Sequence, residues 1–323
     1  MKRLPKIILS TLAGLSLALT ASACSTENAR TGEPATDSGN EPAATNQLKV
    51  VATTGYLGDA VANIAPETDI TVLVGPGGDP HTQPLTTQDT EKLNNADLVV
   101  WTSHDMEHQM MDQLDKLGDK QLPAGEAIPE DQLLPWEEDG QIQGHDPHIW
   151  NAPDKWTLVV SAIGDKLAAI DPDNADMYKK NTDAYNDKIK EMQREVEALL
   201  APIPEENRVL ITGHDAFNYL GDTFNIKIYA TDFVSSESEL SAQQIDELAA
   251  MIAERKVPMI FQDNLANPEA INHLKEAVHA KGWEVEVSDK ELFADSLGES
   301  APVNTYLGVL KYNAEAIAEA LIP

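Results

Sequence analysis

Short apolar runs recur along the chain, each bounded by polar or turn-forming residues. Residues 50–52, 70–74, 98–101, 209–212, 226–229, 259–261 and 283–287 each have the length and composition of a strand buried on both faces, as in a parallel sheet. Helical patterns lie between them. In 241–255, Ile245, Leu248, Ala249 and Ile252 share one face, and Ser241 is placed to cap the first turn. Strands alternating with helices predict an α/β fold with parallel sheets.

One segment breaks the rhythm. Residues 174–200 contain no Gly or Pro, and Tyr178, Tyr185, Ile189, Met192, Val196 and Leu199 form a single stripe. Asp171-Pro172 precedes it and Pro202-Ile203-Pro204 ends it. At ~1.5 Å per residue this helix spans roughly 40 Å and divides the chain into similar halves. The expected divisions are a signal segment at 1–23, a cysteine and tether at 24–47, one α/β half at 48–173, the long helix at 174–202 and a second α/β half at 203–323.

The N-terminus changes the picture. Lys2, Arg3 and Lys6 precede an apolar run from Ile7 to Ala21, which is short for a membrane-spanning helix and is followed by Ala21-Ser22-Ala23. That is a signal-peptide pattern. Cys24, the only cysteine, comes next, so no internal disulfide forms. The polar, turn-rich stretch to about Gln47 reads as a tether. The formal charge of −31 repels nucleic acid and anionic head groups; its main use is solubility and spacing from a membrane.

Three histidines sit where α/β folds gather ligands. His81 closes the tight loop Gly75-Pro76-Gly77-Gly78-Asp79-Pro80-His81, and His148 closes His145-Asp146-Pro147-His148. His214 follows the apolar run Val209-Leu210-Ile211-Thr212. Taken alone, His81 is equally an exposed loop histidine, His145 competes with His148, and His214 is equally a satisfied core residue. Asp215 is placed to orient His214 or to cap a following helix. His104 and His108, four apart, would share a helix face but read as surface or supporting residues, as do His273 and His279. Asp295, in Leu292-Phe293-Ala294-Asp295-Ser296-Leu297-Gly298, is one of 54 acidic residues, so chemistry alone does not select it.

Six ordered segments carry a family resemblance: Val50-Val51-Ala52-Thr53-Thr54-Gly55-Tyr56, the Gly-Pro-Gly-Gly-Asp-Pro-His loop, Asp146-Pro147-His148-Ile149-Trp150, Gly213-His214-Asp215-Ala216-Phe217, Ser236-Glu237-Ser238-Glu239 and the segment around Asp295. From about Leu48 to the C-terminus the chain resembles the substrate-binding lipoproteins of zinc/manganese ABC importers. The resemblance implies two α/β lobes joined by one long backbone helix, with one divalent metal held in the cleft between them by His81, His148, His214 and Asp295. It assigns His148 rather than His145. It also implies lipid modification of Cys24 on the outer face of a membrane, a permease partner and a monomer. Ala21 departs from the pattern, since leucine is usual there, and Ala21-Ser22-Ala23 would equally suit ordinary signal cleavage.

The implied ligands, spaced by 67, 66 and 81 residues, belong to no local finger and need a folded protein to bring them together. Three imidazoles and a carboxylate suit zinc ahead of the harder manganese. Zinc-specific members often carry a histidine-rich loop between the first two ligands, whereas Glu137-Glu138-Asp139-Gly140-Gln141 is acidic here. The rivals are a zinc hydrolase and an adhesin-like lipoprotein with a structural metal. Against an enzyme, the chain has no His-Glu-x-x-His helix, no Ser-His-Asp signature and no phosphate-binding glycine loop.

Overall fold

A computed structural model describes residues 47–138, 140–235, 240–265 and 267–323. The signal segment, Cys24, the tether before Gln47 and the Ser236-Glu237-Ser238-Glu239 segment lie outside the described residues.

The first half is built on a four-stranded parallel sheet. β1 (Lys49–Ala52), β2 (Asp69–Val72), β3 (Leu98–Trp101) and β4 (Gln121–Pro123) stand in the order β2-β1-β3-β4. The helices that follow start on the signals their sequences supply. Thr54 caps α1 (Gly55–Ile64), and Thr86 and Asp89 form a reciprocal capping box on α2 (Thr87–Asn95). After a short helix α3 (Met111–Leu114), β5 (Pro135–Glu138) and β6 (Gln141–His145) make an antiparallel hairpin. Neither β4 nor this hairpin is visible in the apolar pattern. β4 offers one aliphatic residue, Leu122, and the hairpin is mostly half-exposed, with Ile142 turned to solvent.

The long helix forms as expected. α4 (Pro153–Ile170) leads through a short turn into α5 (Ala175–Leu200), which packs on α4, on α1 and on the last helix, α9 (Tyr306–Leu321). Its buried stripe differs from the expected one toward the far end, where Met192 and Leu199 are only partly buried and Leu200 is buried. A stripe drawn on a 3.5-residue repeat drifts off a 3.6-residue helix over six turns. Polar Thr182 and Asn186 also lie on the buried face, Asn186 donating to Ser161 Oγ at 3.0 Å.

Thr182 explains a glycine. A Cβ added at Gly164 of α4 would lie 2.2 Å from Thr182 Oγ1, so the helices cross with no room to spare. We expect Gly164→Ala to cost ~1–3 kcal/mol by overpacking despite its gain in helix propensity, read as a lowered urea midpoint. A variant as stable as the parent would mean that the crossing relaxes freely.

In the second half β7 (Val209–Thr212) pairs in parallel with β8 (Lys227–Ala230), and β9 (Met259–Ile260) with β10 (Glu286–Val287). Phe261 N–H donates to Ile211 O at 2.8 Å and sets β9 beside β7. Helices α6 (Asn218–Phe224), α7 (Ala242–Arg255) and α8 (Pro268–Ala280) connect them, with Ser241 and Gln244 forming a capping box on α7. The fold is thus two parallel-sheet α/β lobes joined by one long helix. One hydrophobic core runs through both, from Val50 and Tyr56 through Tyr185 and Ile189 to Phe217, Leu292 and Tyr306.

Candidate metal centre

Backbone hydrogen bonds to aspartates place the three histidines, locally for His81 and His148 and across the fold for His214. In both Asp-Pro-His sequences the aspartate accepts the histidine's own N–H: Asp79 Oδ1 from His81 at 2.8 Å, and Asp146 Oδ1 from His148 at 2.9 Å. Such turns suit Asp, and proline fixes the residue between. His214 follows β7, where the Asp263 carboxylate accepts from the N–H groups of both Gly213 and His214 at 3.0 and 2.8 Å. Asp295 lies on a loop clamped from several sides. Ala294 O accepts from Tyr56 OH at 2.8 Å and from Trp150 Nε1 at 3.1 Å, while Asn264 Oδ1 accepts the Ala294 N–H at 2.8 Å.

These elements bring all four expected residues together, one donor atom from each lying within 4.8 Å of every other. All are buried. His148 Nε2 is 3.4 Å from His81 Nε2 and 3.2 Å from His214 Nε2. Asp295 Oδ2 is 3.2 Å from His81 Nε2 and 3.3 Å from His214 Nε2, and Oδ1 is 3.4 Å from His148 Nε2. Neither Asp295 oxygen has a hydrogen-bond donor aimed at it. Three like-facing imidazole nitrogens around a carboxylate without hydrogen bonds form a cavity suited to one metal ion. A cleft of about 370 Å³, lined in part by Asp105, His108 and Glu138, reaches His81 from the surface.

Two carboxylates orient the rings from behind, and neither was picked out for this role in the sequence. Asp146 Oδ1 lies 2.7 Å from His148 Nδ1, and its other oxygen accepts from Asn218 Nδ2 at 3.0 Å. Asp232 Oδ1 lies 3.1 Å from His214 Nδ1. The Asp-Pro-His repeat could have pointed to Asp146, whereas nothing local marks Asp232, 18 residues beyond its histidine. Asp215, placed in the sequence to orient His214, does neither expected job. Its N–H donates to Asp232, and α6 begins only at Asn218, without a side-chain cap. We expect Asp146→Asn and Asp232→Asn each to weaken metal binding ~10–100-fold, measured by competition titration. Unchanged affinity in both would make these contacts incidental.

The other histidines fall elsewhere. Ser103, His104 and Asp105 all have positive φ, so His104 and His108 share no helix face; His108 Nδ1 meets Asp105 Oδ1 at 3.0 Å instead. His273 and His279 are exposed on α8. Of the acidic segment, Glu137 and Glu138 end β5 and Gln141 opens β6, with Gly140 before it at φ 74°.

With no metal bound, protons balance the site. Burial alone would drive the His148 and His214 imidazoles down, but Asp295 with Asp146, and Asp295 with Asp232, raise them, His148 to about 9 and His214 well above its usual value. Burial would raise Asp295, yet His148 and His214 hold it well below the carboxylate range. His81 is lowered, first by burial and further by its two neighbouring imidazoles. His148 and His214 are thus biased toward imidazolium and Asp295 toward carboxylate, so protons compete with a metal ion for the same site.

Known proteins resemble this chain over most of its length. Residues 50–320 match the family model described as "Zinc-uptake complex component A periplasmic". The manganese-binding lipoprotein MntA of Bacillus subtilis is 32% identical over 290 residues, covering 88% of this chain and 93% of its own. The zinc-binding protein TroA of Treponema pallidum is 34% identical over 285 residues, covering 87% and 91%. The solved structure of periplasmic TroA superposes with a TM-score of 0.81 at 33% identity, covering 86% of this chain and all of that one.

Proposed function

Because this chain belongs to the zinc-uptake component A family, the metal-binding substrate-binding proteins of ABC importers, we propose that it captures one divalent transition metal, zinc in preference to manganese, through His81, His148, His214 and Asp295. It passes that ion to an importer permease. The observation that carries the reading is the buried convergence of three Nε2 atoms on one carboxylate. Four protein donors leave little space for the bound water a zinc hydrolase requires, and the relatives are carriers rather than enzymes. The boundaries at 48–173, 174–202 and 203–323 divide the carrier into lobe, spine and lobe, and it works as a monomer.

Three imidazoles to one carboxylate favour zinc, since manganese is harder and prefers more oxygen. One feature supports manganese as the second reading: both Asp295 oxygens face imidazoles, so the carboxylate can chelate and raise the coordination number. Metal analysis of protein purified without chelators, followed by zinc–manganese competition, tests both. Zinc at one equivalent, displaced only by large excess manganese, is the expected result; the reverse order overturns the preference, and no bound transition metal overturns the function.

Cys24 carries the lipid anchor that holds the protein on the outer face of the membrane, several acyl chains giving firm attachment where one would not. Cys24→Ser should move the protein from the membrane to the soluble fraction. A parent protein already soluble and without lipid would show that Ala21-Ser22-Ala23 directs ordinary cleavage.

A further inference from the structure

A second pair of imidazoles stands outside the cargo site. His104 Nε2 and His145 Nδ1 are both buried without a hydrogen-bond partner. Their ring centroids are 5.8 Å apart at 81°, close to the 5.1–5.5 Å separations among His81, His148 and His214. We propose that His104 Nε2 and His145 Nδ1 bind a second divalent transition-metal ion, more weakly than the cargo site, with water completing its shell.

The His104 ring lies against the backbone of Gly125. His145 Nε2 faces Glu130 Oε1 at 3.9 Å. A ring whose far nitrogen is turned to a carbonyl or carboxylate keeps a lone pair on the near one. Burial, with the neighbouring His145, holds the His104 ring below its ordinary pKa and so in the neutral form a metal needs.

The backbone is committed to this placement. Ser103, His104 and Asp105 have φ of 75°, 53° and 69°, a run that non-glycine residues adopt only when their surroundings impose it. The buried Glu107 carboxylate imposes it here, accepting from Thr102 N–H at 2.7 Å, Ser103 N–H at 3.1 Å and Thr53 Oγ1 at 2.6 Å. Gly125 presses from the other side, where an added Cβ would lie 3.1 Å from His104 Cδ2. An ion between the rings would join this loop to the β5–β6 hairpin. It shares no ligand with the cargo site.

Calorimetric titration of zinc into the mature chain tests the proposal. Wild type should show two binding events of one equivalent each. His104→Gln and His145→Gln should each abolish the weaker event and leave the tighter one unchanged. His145 is half-exposed on a hairpin, so its variant folds even if His104→Gln does not. A single event up to millimolar zinc would mean that a water bridges the two nitrogens. A second event that survives both substitutions would place that ion on surface histidines. Either result overturns the proposal, and loss of the tighter event in wild type would instead count against the cargo reading.

Discussion

Replacing His214 or Asp295 with alanine should lower zinc affinity by more than the ~10–100-fold typical of a lost supporting contact. Each supplies a donor, and each also fixes its neighbours. Asp295 contacts all three imidazoles, so its loss removes the one carboxylate donor that they share. Asp295→Ala should therefore be the most damaging change, and Asp295→Asn nearly as damaging, since the amide keeps the shape and loses the charge. His145→Ala should leave the tight site unaffected, because its ring faces away toward His104. Competition titration against a chelator of known affinity reads all of these. Near-native affinity in both His214→Ala and Asp295→Ala would sink the assignment.

Zinc binding should release close to two protons over a wide pH range, and its affinity should fall up to ~100-fold per pH unit where both are bound. The sign follows from the empty site. His148 is raised to about 9 and His214 well above its usual value, so both favour imidazolium at neutral pH. Metal requires them neutral, so acid competes with metal. The competition sets in as pH falls through about 9, well above the ~6.5 of a free histidine. Titrations in buffers of different ionisation enthalpy count the protons directly. A proton count near zero at neutral pH would show that the carboxylates do not raise these rings.

Much of this was legible because each signal was local. The buried runs at 98–101 and 209–212 match β3 and β7 residue for residue, and Ser241 caps α7 as its position demanded. His81, His148 and His214 stood out as histidines at tight turns or strand ends. Asp295 did not: its role depends on a loop held by Tyr56 and Trp150 from the other half of the chain, which no window of sequence contains. Asp232 was hidden because it lies 18 residues beyond His214 and reaches it only through the pairing of β7 with β8. Asp215 misled because adjacency to His214 resembles support, whereas the chain turns the Asp232 carboxylate onto the ring. The β5–β6 hairpin was missed because its apolar residues do not alternate cleanly and one of them faces solvent.

The pairing of two imidazolium ions with Asp295 has a consequence for the importer. If loading releases both protons, as predicted above, the exchange for a dication is electroneutral. The empty and loaded sites would then carry the same net charge, and the far field of this acidic surface would not change on loading. A permease drawn by long-range electrostatics would approach both forms at the same speed. Discrimination in favour of the loaded carrier must then come after contact, from the fit and rigidity of the loops around the cleft.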